Sequence, residues 1–370
     1  MSSRQNPGRG QRRRTPAASM PLEKTPFEVD IERLSHEGRG ITRWRDKTLF
    51  VDGALPGERV LVKHAARHSK YNEARALEIK SAADNRATPP CPHYERCGGC
   101  DLQHLAAEEQ IKVKEAAVVD QLQRWGGVQA QRLLPPIVSK PAGYRVRARL
   151  AVQWNRLGEP LLGFREGGGK AIVEIHDCHV LDPRLVACIE PLRECLRSLA
   201  KNRAVTHVEL TASATQIGAV IRHTRTIEEQ DLAKLRALAE ATGLDIYRQA
   251  EREASLLTIE GLPCEPRMDY PLPDHDLSLQ FHPADFIQVN PEVNRAMVAQ
   301  ALQLLSPKAS ERLVDLFCGI GNFTLPLARH AESVVGVEAQ TTMVARAEGN
   351  ASANGIDTVE FVAADLEKDL

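Results

Sequence analysis

Three cysteines lie within ten residues of the sequence, at Cys91, Cys97 and Cys100. Thiolates six and three residues apart can converge on one centre, and Gly98 and Gly99 allow the backbone to curl around it. A four-coordinate site needs one more ligand, which would come from one of three candidates: Cys178, His93 or His104. Four thiolates suit either an iron–sulfur cluster or a zinc ion, and the spacing does not separate the two. We therefore predict a metal or cluster site.

A second candidate site is the glycine-containing segment 315–322, which follows an apolar run and precedes a helical pattern. Gly319 and Gly321 would let the backbone approach a cofactor at the carboxyl end of a strand. Glu338 lies seventeen residues after Gly321, at the end of the next predicted strand, where a carboxylate can bind ribose hydroxyls. Thr324 occupies the position of the third glycine of the dinucleotide pattern, which favours S-adenosylmethionine over NAD. The alternative is a tight turn in an ordinary α/β domain.

Alternating arginines form a third feature. Arg145, Arg147 and Arg149 alternate with apolar residues, so in a strand the three guanidinium groups share one face. Adjacent guanidinium groups repel one another, and an RNA phosphate backbone would relieve that repulsion. The alternative is a solvated sheet face with acidic neighbours. We favour the RNA contact.

The amino-terminal part is predicted to be a basic tail followed by a small barrel. Residues 1–22 are rich in Arg, Gly, Ser, Gln and Pro and have little to bury, so we predict disorder there. Apolar and acidic residues alternate over 27–32. Further short strand-like runs lie between turns at 41–45, 48–51, 60–62 and 74–79. So many short strands between residues 23 and 84 indicate an OB-like barrel, a fold that often binds oligonucleotides.

Residues 85–274 combine strand-like runs with helical patterns, which predicts an α+β domain. One helical pattern places four apolar side chains on one face: Ile111, Val118, Leu122 and Trp125. Most of the region after it is strand-like. The cysteine run and the alternating arginines both belong to this central part.

From residue 275 to 370 the pattern changes to alternating helices and strands. Asn290 caps a helix that has Pro291 in its first position. The apolar face of this helix is predicted to consist of Val293, Met297, Ala301 and Leu305. Strands are predicted at 312–317, 333–337 and 359–362. Strands that alternate with helices indicate a parallel, doubly wound sheet, and the sequence stops after its third strand, so we expect an incomplete domain.

The composition is typical of a soluble multidomain protein. Of the 370 residues, 42% are hydrophobic and 26% are charged, and no apolar run reaches the roughly 18 residues of a membrane helix. The arginine-rich start is not a secretory signal and the cysteines are sparse, so we expect a cytoplasmic protein. The net charge of −1 hides an asymmetry: residues 1–75 contain 16 basic and 9 acidic side chains, and residues 315–370 contain 3 and 9. The excess of basic side chains in the amino-terminal part indicates a polyanion as partner.

These motifs resemble those of the RNA uracil-C5 methyltransferases, and in particular of the branch that acts on 23S rRNA and carries a TRAM barrel. The resemblance covers most of the chain from about Glu23 and rests on the cysteine run, on 286–290 (Phe-Ile-Gln-Val-Asn) and on 315–322. The sister rRNA branch lacks the barrel, and the tRNA branch lacks both barrel and cluster, so the barrel selects the branch.

The resemblance implies a multidomain α/β plus β architecture. A disordered tail over 1–22 precedes an N-terminal TRAM (OB-like) β-barrel over 23–84. A central α+β domain with an iron–sulfur site covers 85–274. The N-terminal half of a class I, Rossmann-like methyltransferase domain, incomplete here, covers 275–370.

The resemblance also implies site residues and partners. The ligands of a [4Fe–4S] cluster would be Cys91, Cys97, Cys100 and Cys178. The contacts to S-adenosylmethionine would be Gln288, Phe317, Asn322, Glu338 and Asp365, although the family commonly has Asn at the last position. The implied partner is 23S rRNA, with no membrane association, and no protein partner is identified.

In this family a cysteine thiolate adds to uracil C6, C5 takes the methyl group, and a base removes the C5 proton. The thiolate lies in a Ser-Cys-Asn-Pro-like motif after an Asp-Pro-Pro-Arg-like motif, and a glutamate near the C-terminus is the base. None of these motifs occurs in the sequence, and Cys318 in the glycine turn is a poor substitute. We therefore expect the nucleophile and base beyond Leu370 and expect this chain alone to be inactive.

Three alternative functions are also compatible with the sequence. The first is a non-catalytic iron–sulfur RNA-binding protein. The second is a uracil-C5 methyltransferase that acts on another rRNA or tRNA uridine. The third is an RNA methyltransferase stabilised by zinc in place of the cluster.

Overall fold

The computed structural model describes residues 25–200, 204–250, 256–265 and 268–368. The chain forms two compact units, Met1–Arg86 and Ala87–Leu370. The basic tail predicted over 1–22 lies outside the described residues.

The first unit is a six-stranded sheet. Its strands are β1 (Phe27–Asp30), β2 (Arg33–Leu34), β3 (Gly40–Trp44), β4 (Lys47–Asp52), β5 (Arg59–Arg67) and β6 (Tyr71–Ser81). They pair in the order β1-β5-β6-β4-β3-β2, and only the β4–β6 pair is parallel. One cluster of buried side chains is shared by strands from different parts of the sheet: Val29, Leu49, Val51, Val60 and Val62. The sheet therefore curls around a single core, and the short strands predicted from the sequence are confirmed.

The second unit begins with a seven-stranded sheet and four helices. The strands are β7 (Arg147–Trp154), β8 (Pro160–Arg165), β9 (Ile172–Glu174), β10 (Val205–Ala212), β11 (Ile217–His223), β12 (Leu244–Ala250) and β13 (Leu257–Thr258). They pair in the order β13-β12-β11-β10-β7-β8-β9. The helices are α1 (Ala107–Gly126), α2 (Pro183–Val186), α3 (Ile189–Ser198) and α4 (Glu229–Thr242).

Helices α3 and α4 pack on one face of this sheet. Alternation along β7 sends Leu150 and Val152 into the large core, where they join Leu192 of α3 and Leu235 of α4. Arg149, between the two apolar residues of β7, therefore points to the opposite face. The strand period thus separates a helix-covered face from a polar one.

Helix α1 is present as predicted, but its apolar face is exposed. No residue of α1 is buried, and Val118, Leu122 and Trp125 are 57%, 44% and 80% exposed. Gly127 caps the carboxyl end of the helix, and its left-handed φ of 63° suits glycine. Among the described ranges, every helix is too short or too polar to span a lipid bilayer.

The chain continues through a hairpin into a parallel sheet. The remaining elements are β14 (Met268–Leu272), β15 (Leu277–Phe281), α5 (Pro291–Leu305), β16 (Arg312–Leu316), α6 (Thr324–Ala328), β17 (Ser333–Glu338), α7 (Thr341–Ala353) and β18 (Val359–Ala363). The sheet β16-β17-β18 is parallel throughout, so the predicted alternation of strands and helices is confirmed. Strands β14 and β15 pair with each other on either side of residue 274. The sequence predicts a domain boundary at this residue, and that boundary remains a prediction.

The buried stripe of α5 is shifted by one residue from the predicted one. Asn290 caps the helix as predicted, because its side chain accepts a hydrogen bond from the N–H of Val293 (3.1 Å). Leu305, assigned to the apolar face, is 58% exposed. The buried side chains are Asn294, Val298 and Leu302. A shift of one residue corresponds to a rotation of about 100° about the helix axis, and it brings the polar side chain of Asn294 into the core.

Candidate functional site

The four cysteines of the predicted cluster site meet at one cavity of the second unit. Cys91, Cys97, Cys100 and Cys178 all line this cavity, whose volume is about 260 Å³. Cys178 lies far from the other three in sequence, so only the fold brings it there. We call this space the cysteine cavity.

The two histidines considered as fourth ligands are placed differently. His93 lines the cysteine cavity with the thiols. His104 is 2% exposed, and its Nδ1 lies 2.5 Å from the hydroxyl oxygen of Tyr94. Of the two, only His93 is available to a group held in the cavity.

Backbone hydrogen bonds hold the cysteine loop against the end of β8. Gly98 donates to the carbonyl of Arg165 (2.9 Å), and Gly167 donates to the carbonyl of Arg96 (3.0 Å). A Cβ on Gly98 would lie 3.1 Å from backbone atoms of Gly167, so the approach favours glycine. Cys178 reaches the cavity from the segment after β9.

Three thiols of the cavity have raised pKa values. Burial raises the pKa of the Cys97, Cys100 and Cys178 thiols above the usual value, and the neighbouring thiols raise it further. Metal ligation requires thiolates, so a bound cation would have to displace these protons. Within the described ranges, no three His, Cys, Asp or Glu side chains are grouped so that they could hold one metal ion.

The glycine turn and the predicted acid meet at one edge of the parallel sheet. The turn follows β16, and Phe317, Gly319 and Gly321 have positive φ values of 62°, 58° and 93°. The N–H of Gly319 donates to the carboxylate of Glu338 (3.2 Å), which ends the neighbouring strand β17. The side chain of Phe317 is exposed at this edge. The carboxyl ends of two parallel strands therefore present a backbone turn and a carboxylate together.

Asn322, at the end of the turn, pairs with a residue that sequence analysis missed. Its Oδ1 accepts a hydrogen bond from Asn294 Nδ2 (2.9 Å), and its own Nδ2 donates to Asn294 Oδ1 (2.8 Å). Asn294 is completely buried. The available signal was a polar residue on the same helical face as Val298.

The other two residues predicted to contact S-adenosylmethionine, Gln288 and Asp365, lie on segments next to α5 and β18. Gln288 precedes α5, and its carbonyl accepts from the Tyr270 hydroxyl (3.2 Å). Asp365 follows β18 and forms an ion pair with Lys368 (2.6 Å). Because β18 pairs with β17, Asp365 follows the same end of the sheet as Glu338. Of the five predicted contacts, Glu338 is hydrogen-bonded to the glycine turn and Asn322 to helix α5.

Cys318 does not have the properties of a nucleophile. The residue is 5% exposed, and burial, together with the charges of Asp315 and Glu338, raises the pKa of its thiol to about 12. Such a thiol is protonated at neutral pH, whereas the thiolate is the reactive form. The expectation that Cys318 is a poor substitute agrees with this environment.

The alternating arginines have an acidic neighbour. Glu209 on β10 lies opposite Arg149 and forms ion pairs with Arg147 (3.3 Å) and Arg149 (3.7 Å). Arg145, just before β7, donates from Nε to the carbonyl of Arg147 (3.0 Å) and lines the cysteine cavity. The repulsion expected between the three guanidinium groups is therefore partly relieved within the protein.

The fold and the site together define a class of protein. A curled sheet of short strands precedes a Rossmann-like parallel sheet with a glycine turn and a carboxylate at its carboxyl edge, which is the arrangement of a nucleoside-binding enzyme with an added barrel. Residues 25–77 match the TRAM domain, and residues 108–368 match the family described as tRNA (Uracil-5-)-methyltransferase. The chain belongs to the RNA uracil-C5 methyltransferase family.

Individual relatives agree with this assignment. The chain is 44% identical to the 23S rRNA (uracil(1939)-C(5))-methyltransferase RlmD of Alkalilimnicola ehrlichii, over 93% of this chain and 78% of that protein. It is 40% identical to the RlmD protein of Alcanivorax borkumensis, over 94% and 79% of the two chains. The crystal structure of Pyrococcus abyssi tRNA (uracil-54, C5)-methyltransferase with S-adenosyl-L-homocysteine has the same fold. It superposes with a TM-score of 0.68 at 22% identity and covers 91% of this chain and 79% of that one.

Proposed function

We propose that the activity of this protein is the methylation of C5 of a uridine in 23S rRNA with S-adenosylmethionine as the methyl donor, and that this chain binds the donor and positions the RNA. The observation that carries the proposal is the bond between the Gly319 N–H and the Glu338 carboxylate at the carboxyl ends of two parallel strands, in a chain of this family. Relatives that are 40% and 44% identical and named for this rRNA reaction support 23S rRNA as substrate. The TRAM domain supports RNA binding. A ribosomal substrate would be compatible with a reaction in the cytoplasm.

Five residues of the second unit are proposed to hold the methyl donor: Gln288, Phe317, Asn322, Glu338 and Asp365. Glu338 is suited to ribose hydroxyls, because an ionised carboxylate only accepts hydrogen bonds. Asn322 has one amide hydrogen beyond the one that it donates to Asn294. Phe317 offers an exposed apolar ring. When bound, S-adenosylmethionine would supply an electrophilic methyl group on a sulfonium.

The attacking thiolate and the base are assigned to none of the described residues. Cys318 is set aside because its pKa of about 12 leaves it protonated at neutral pH. The described residues are therefore proposed to bind the donor and to position RNA.

We also propose that the four cysteines hold a [4Fe–4S] cluster. A single zinc ion, with Zn–S bonds of about 2.3 Å, would draw the four sulfurs to about 3.8 Å from one another. A four-iron cluster binds each thiolate to a different iron and so keeps the sulfurs farther apart. The convergence of four thiols on one cavity of about 260 Å³ supports a site for such a group, and the family resemblance favours the cluster over zinc. Its role would be structural, because it ties Cys178 to the cysteine loop and methyl transfer moves no electrons.

Elemental analysis tests the cluster. Protein purified without oxygen should contain iron and acid-labile sulfide at about four of each per chain. The Cys178→Ser variant should lose most of both, and Cys188→Ser, which changes a buried cysteine outside the cavity, should keep them. One zinc per chain without iron would overturn the assignment in favour of zinc.

Deletion of the gene tests the function. Mass spectrometry of ribosomal RNA from the deletion strain should show the loss of one 5-methyluridine from 23S rRNA, and the gene should restore it. The Glu338→Ala variant should fail to restore it. Unchanged 23S rRNA would overturn the proposal, and loss of a tRNA 5-methyluridine instead would favour the tRNA substrate.

A further inference from the structure

The polar face of the seven-stranded sheet collects positive charge. Arg149 of β7 lies opposite Glu209 of β10, and His207 of β10 lies opposite Arg222 of β11. Directly paired residues point to the same side of a sheet, so these four side chains share the face opposite α3 and α4. Arg147 belongs to the same face by the strand period.

Glu209 holds three arginines of this face. Its carboxylate lies 2.5 Å from Arg222, 3.3 Å from Arg147 and 3.7 Å from Arg149. Burial acts to raise the pKa of Glu209, but the hydrogen bond from Arg222 and the charges of the three arginines outweigh it, so the pKa lies below the usual value. One buried negative charge therefore faces three positive ones.

The face continues onto the neighbouring strand β8. Arg165 lies two residues beyond Gly163, which pairs with Ala151 of β7, so Arg165 is on the same side as Arg149. Both arginines act on His207: burial lowers its pKa, and the charges of Arg149 and Arg165 lower it further. Strands about 4.8 Å apart place β8 and β11 about 14 Å from each other. The charges therefore extend over more than the width of one small anion.

Part of each group is open to solvent. The side chain of Arg149 is 58% exposed and that of Arg222 is 27% exposed, whereas that of Glu209 is 7% exposed. The carboxylate is thus at the base of the face, and the guanidinium groups of Arg149 and Arg222 lie nearer its surface than that of Arg147, which is 18% exposed. This arrangement orders the arginines before any ligand arrives, which reduces the entropy lost on binding.

We propose that this surface, the arginine face formed by Arg147, Arg149, Arg165 and Arg222, binds the phosphodiester backbone of RNA, with Glu209 as a positioning residue. The proposal rests on the proposed function, because it names where the second unit would hold the rRNA substrate. Guanidinium groups suit phosphate because two parallel N–H donors match two oxygens. Contacts of this kind set the register of RNA without reading its sequence.

The salt dependence of RNA binding tests the face. A labelled uridine-containing RNA hairpin is titrated with the protein between about 50 and about 200 mM salt. Replacing Arg149 and Arg222 together with alanine should weaken binding and lower the slope of log K against log salt by about 2, since each phosphate contact contributes about 1. The matched control Arg197→Ala with Arg236→Ala removes the same charge from α3 and α4 and should leave the slope unchanged. An unchanged slope in the first variant overturns the proposal.

The Glu209→Gln variant separates positioning from net charge. If Glu209 only subtracts charge, its removal adds one positive charge and should tighten RNA binding. A positioning role predicts weaker binding at a temperature where circular dichroism shows the variant to be folded, and tighter binding would refute that role.

A DNA hairpin of the same sequence, which has no uridine to methylate, distinguishes the two proposals. If the arginine variant binds the DNA hairpin more weakly while gene deletion leaves 23S rRNA unchanged, the arginine face is supported and the methyltransferase function is wrong. If methylation is lost on deletion but the slopes do not change, only the face is wrong.

Discussion

The amide pair between Asn294 and Asn322 links helix α5 to the glycine turn. Both side chains use one donor and one acceptor on each other, at 2.8 and 2.9 Å, and Asn294 is fully buried. Removing one member leaves a donor and an acceptor of Asn322 without their partner, which costs about 1–3 kcal/mol for a buried group. The pair therefore fixes the orientation of a residue proposed to contact the methyl donor.

We expect Asn294→Ala to weaken S-adenosylmethionine binding by about tenfold, which corresponds to about 1.4 kcal/mol. Calorimetric titration of the purified protein measures the affinity. Gln303→Ala, an exposed amide on the same helix, is the control and should bind like the wild type. Wild-type affinity in Asn294→Ala would show that the orientation of Asn322 does not depend on α5.

A buried carboxylate in the first unit gives a stability that depends on pH. Glu58 is completely buried and accepts hydrogen bonds from Leu55 N–H (2.8 Å), Ala83 N–H (3.2 Å) and the Arg86 guanidinium (2.5 Å). Burial raises the pKa of Glu58, but these donors outweigh it and lower the pKa below its ordinary 4.5. Because the folded pKa is lowered, the stabilisation is complete above pH 4.5 and is lost as the pH falls through the folded pKa.

We expect Glu58→Gln to destabilise the first unit by about 2 kcal/mol at pH 7, because it removes charge-assisted hydrogen bonds. The difference from wild type should shrink as the pH falls below about 4.5. Hydrogen exchange of the β5 amides, corrected for the intrinsic exchange rate, measures the free energy of opening at each pH. Asp30→Asn removes a carboxylate that also pairs with an arginine but is exposed, so it should change little. An equal effect of both variants would contradict the argument.

Residue types and short-range spacing were readable from the sequence, and long-range partners were not. The run from Cys91 to Cys100 is local, so its convergence could be predicted, whereas the spacing left Cys178 as one of three candidates and only the family resemblance selected it. Asn294 was missed because a stripe of apolar residues one position earlier fits the helical period equally well. Glu209 could not be paired with Arg149 before the register of β7 and β10 was known.

Secondary structure was predictable where a period and a stop signal occur together. Strands β16, β17 and β18 lie within about one residue of their predicted bounds because glycines and polar turns delimit each apolar run. The β14–β15 hairpin was missed because prolines interrupt it, Pro271 within β14 and Pro273 directly after it. Helix α1 was found from its period, but a period cannot specify what covers a face, and its face is exposed.

Strand β16 has an exposed apolar edge that makes self-association testable. Among the described residues β16 pairs only with β17, and Val314 and Leu316 are 63% and 54% exposed. An unpaired strand with exposed apolar side chains is a template for association with another chain. The edge is thus open to intermolecular pairing.

We expect Val314→Lys to reduce self-association, because a charged side chain on an edge strand opposes pairing with a second copy. Light scattering over a concentration series measures the mean mass. Val138→Lys makes the same change at a residue that is 59% exposed and outside any strand, so it should not alter the association. Equal reduction by both variants would assign the effect to net charge.

At the scale of the whole molecule, the sequence predicts three folded parts and the packing gives two compact units. The sequence predicts a boundary between the central and methyltransferase domains at residue 274. One apolar cluster contains both Val146 before this residue and Ile356 after it, so the core is continuous across the predicted boundary. Composition alone could not show this, because a shared core is a property of contacts between distant segments. The boundary near Arg86 is different, since the first unit has its own core.

The first unit should therefore fold alone, and Arg86 should be the last residue that it needs. Arg86 donates to both oxygens of the buried Glu58 carboxylate (2.5 and 2.8 Å) and to the carbonyl of Gly53 (2.8 Å), so the ion pair is internal to this unit. We expect a fragment of residues 25–86 to unfold cooperatively, and Arg86→Ala to destabilise it by about 3 kcal/mol, because it leaves a buried carboxylate without its cation. For a domain of this size that loss lowers the melting temperature by at least about 12 °C, which circular dichroism measures. Lys80→Ala breaks an exposed ion pair with Glu78 and should lower it little. A fragment that is unfolded at the outset, or an Arg86→Ala fragment that melts with the wild type, would mean that the boundary lies elsewhere.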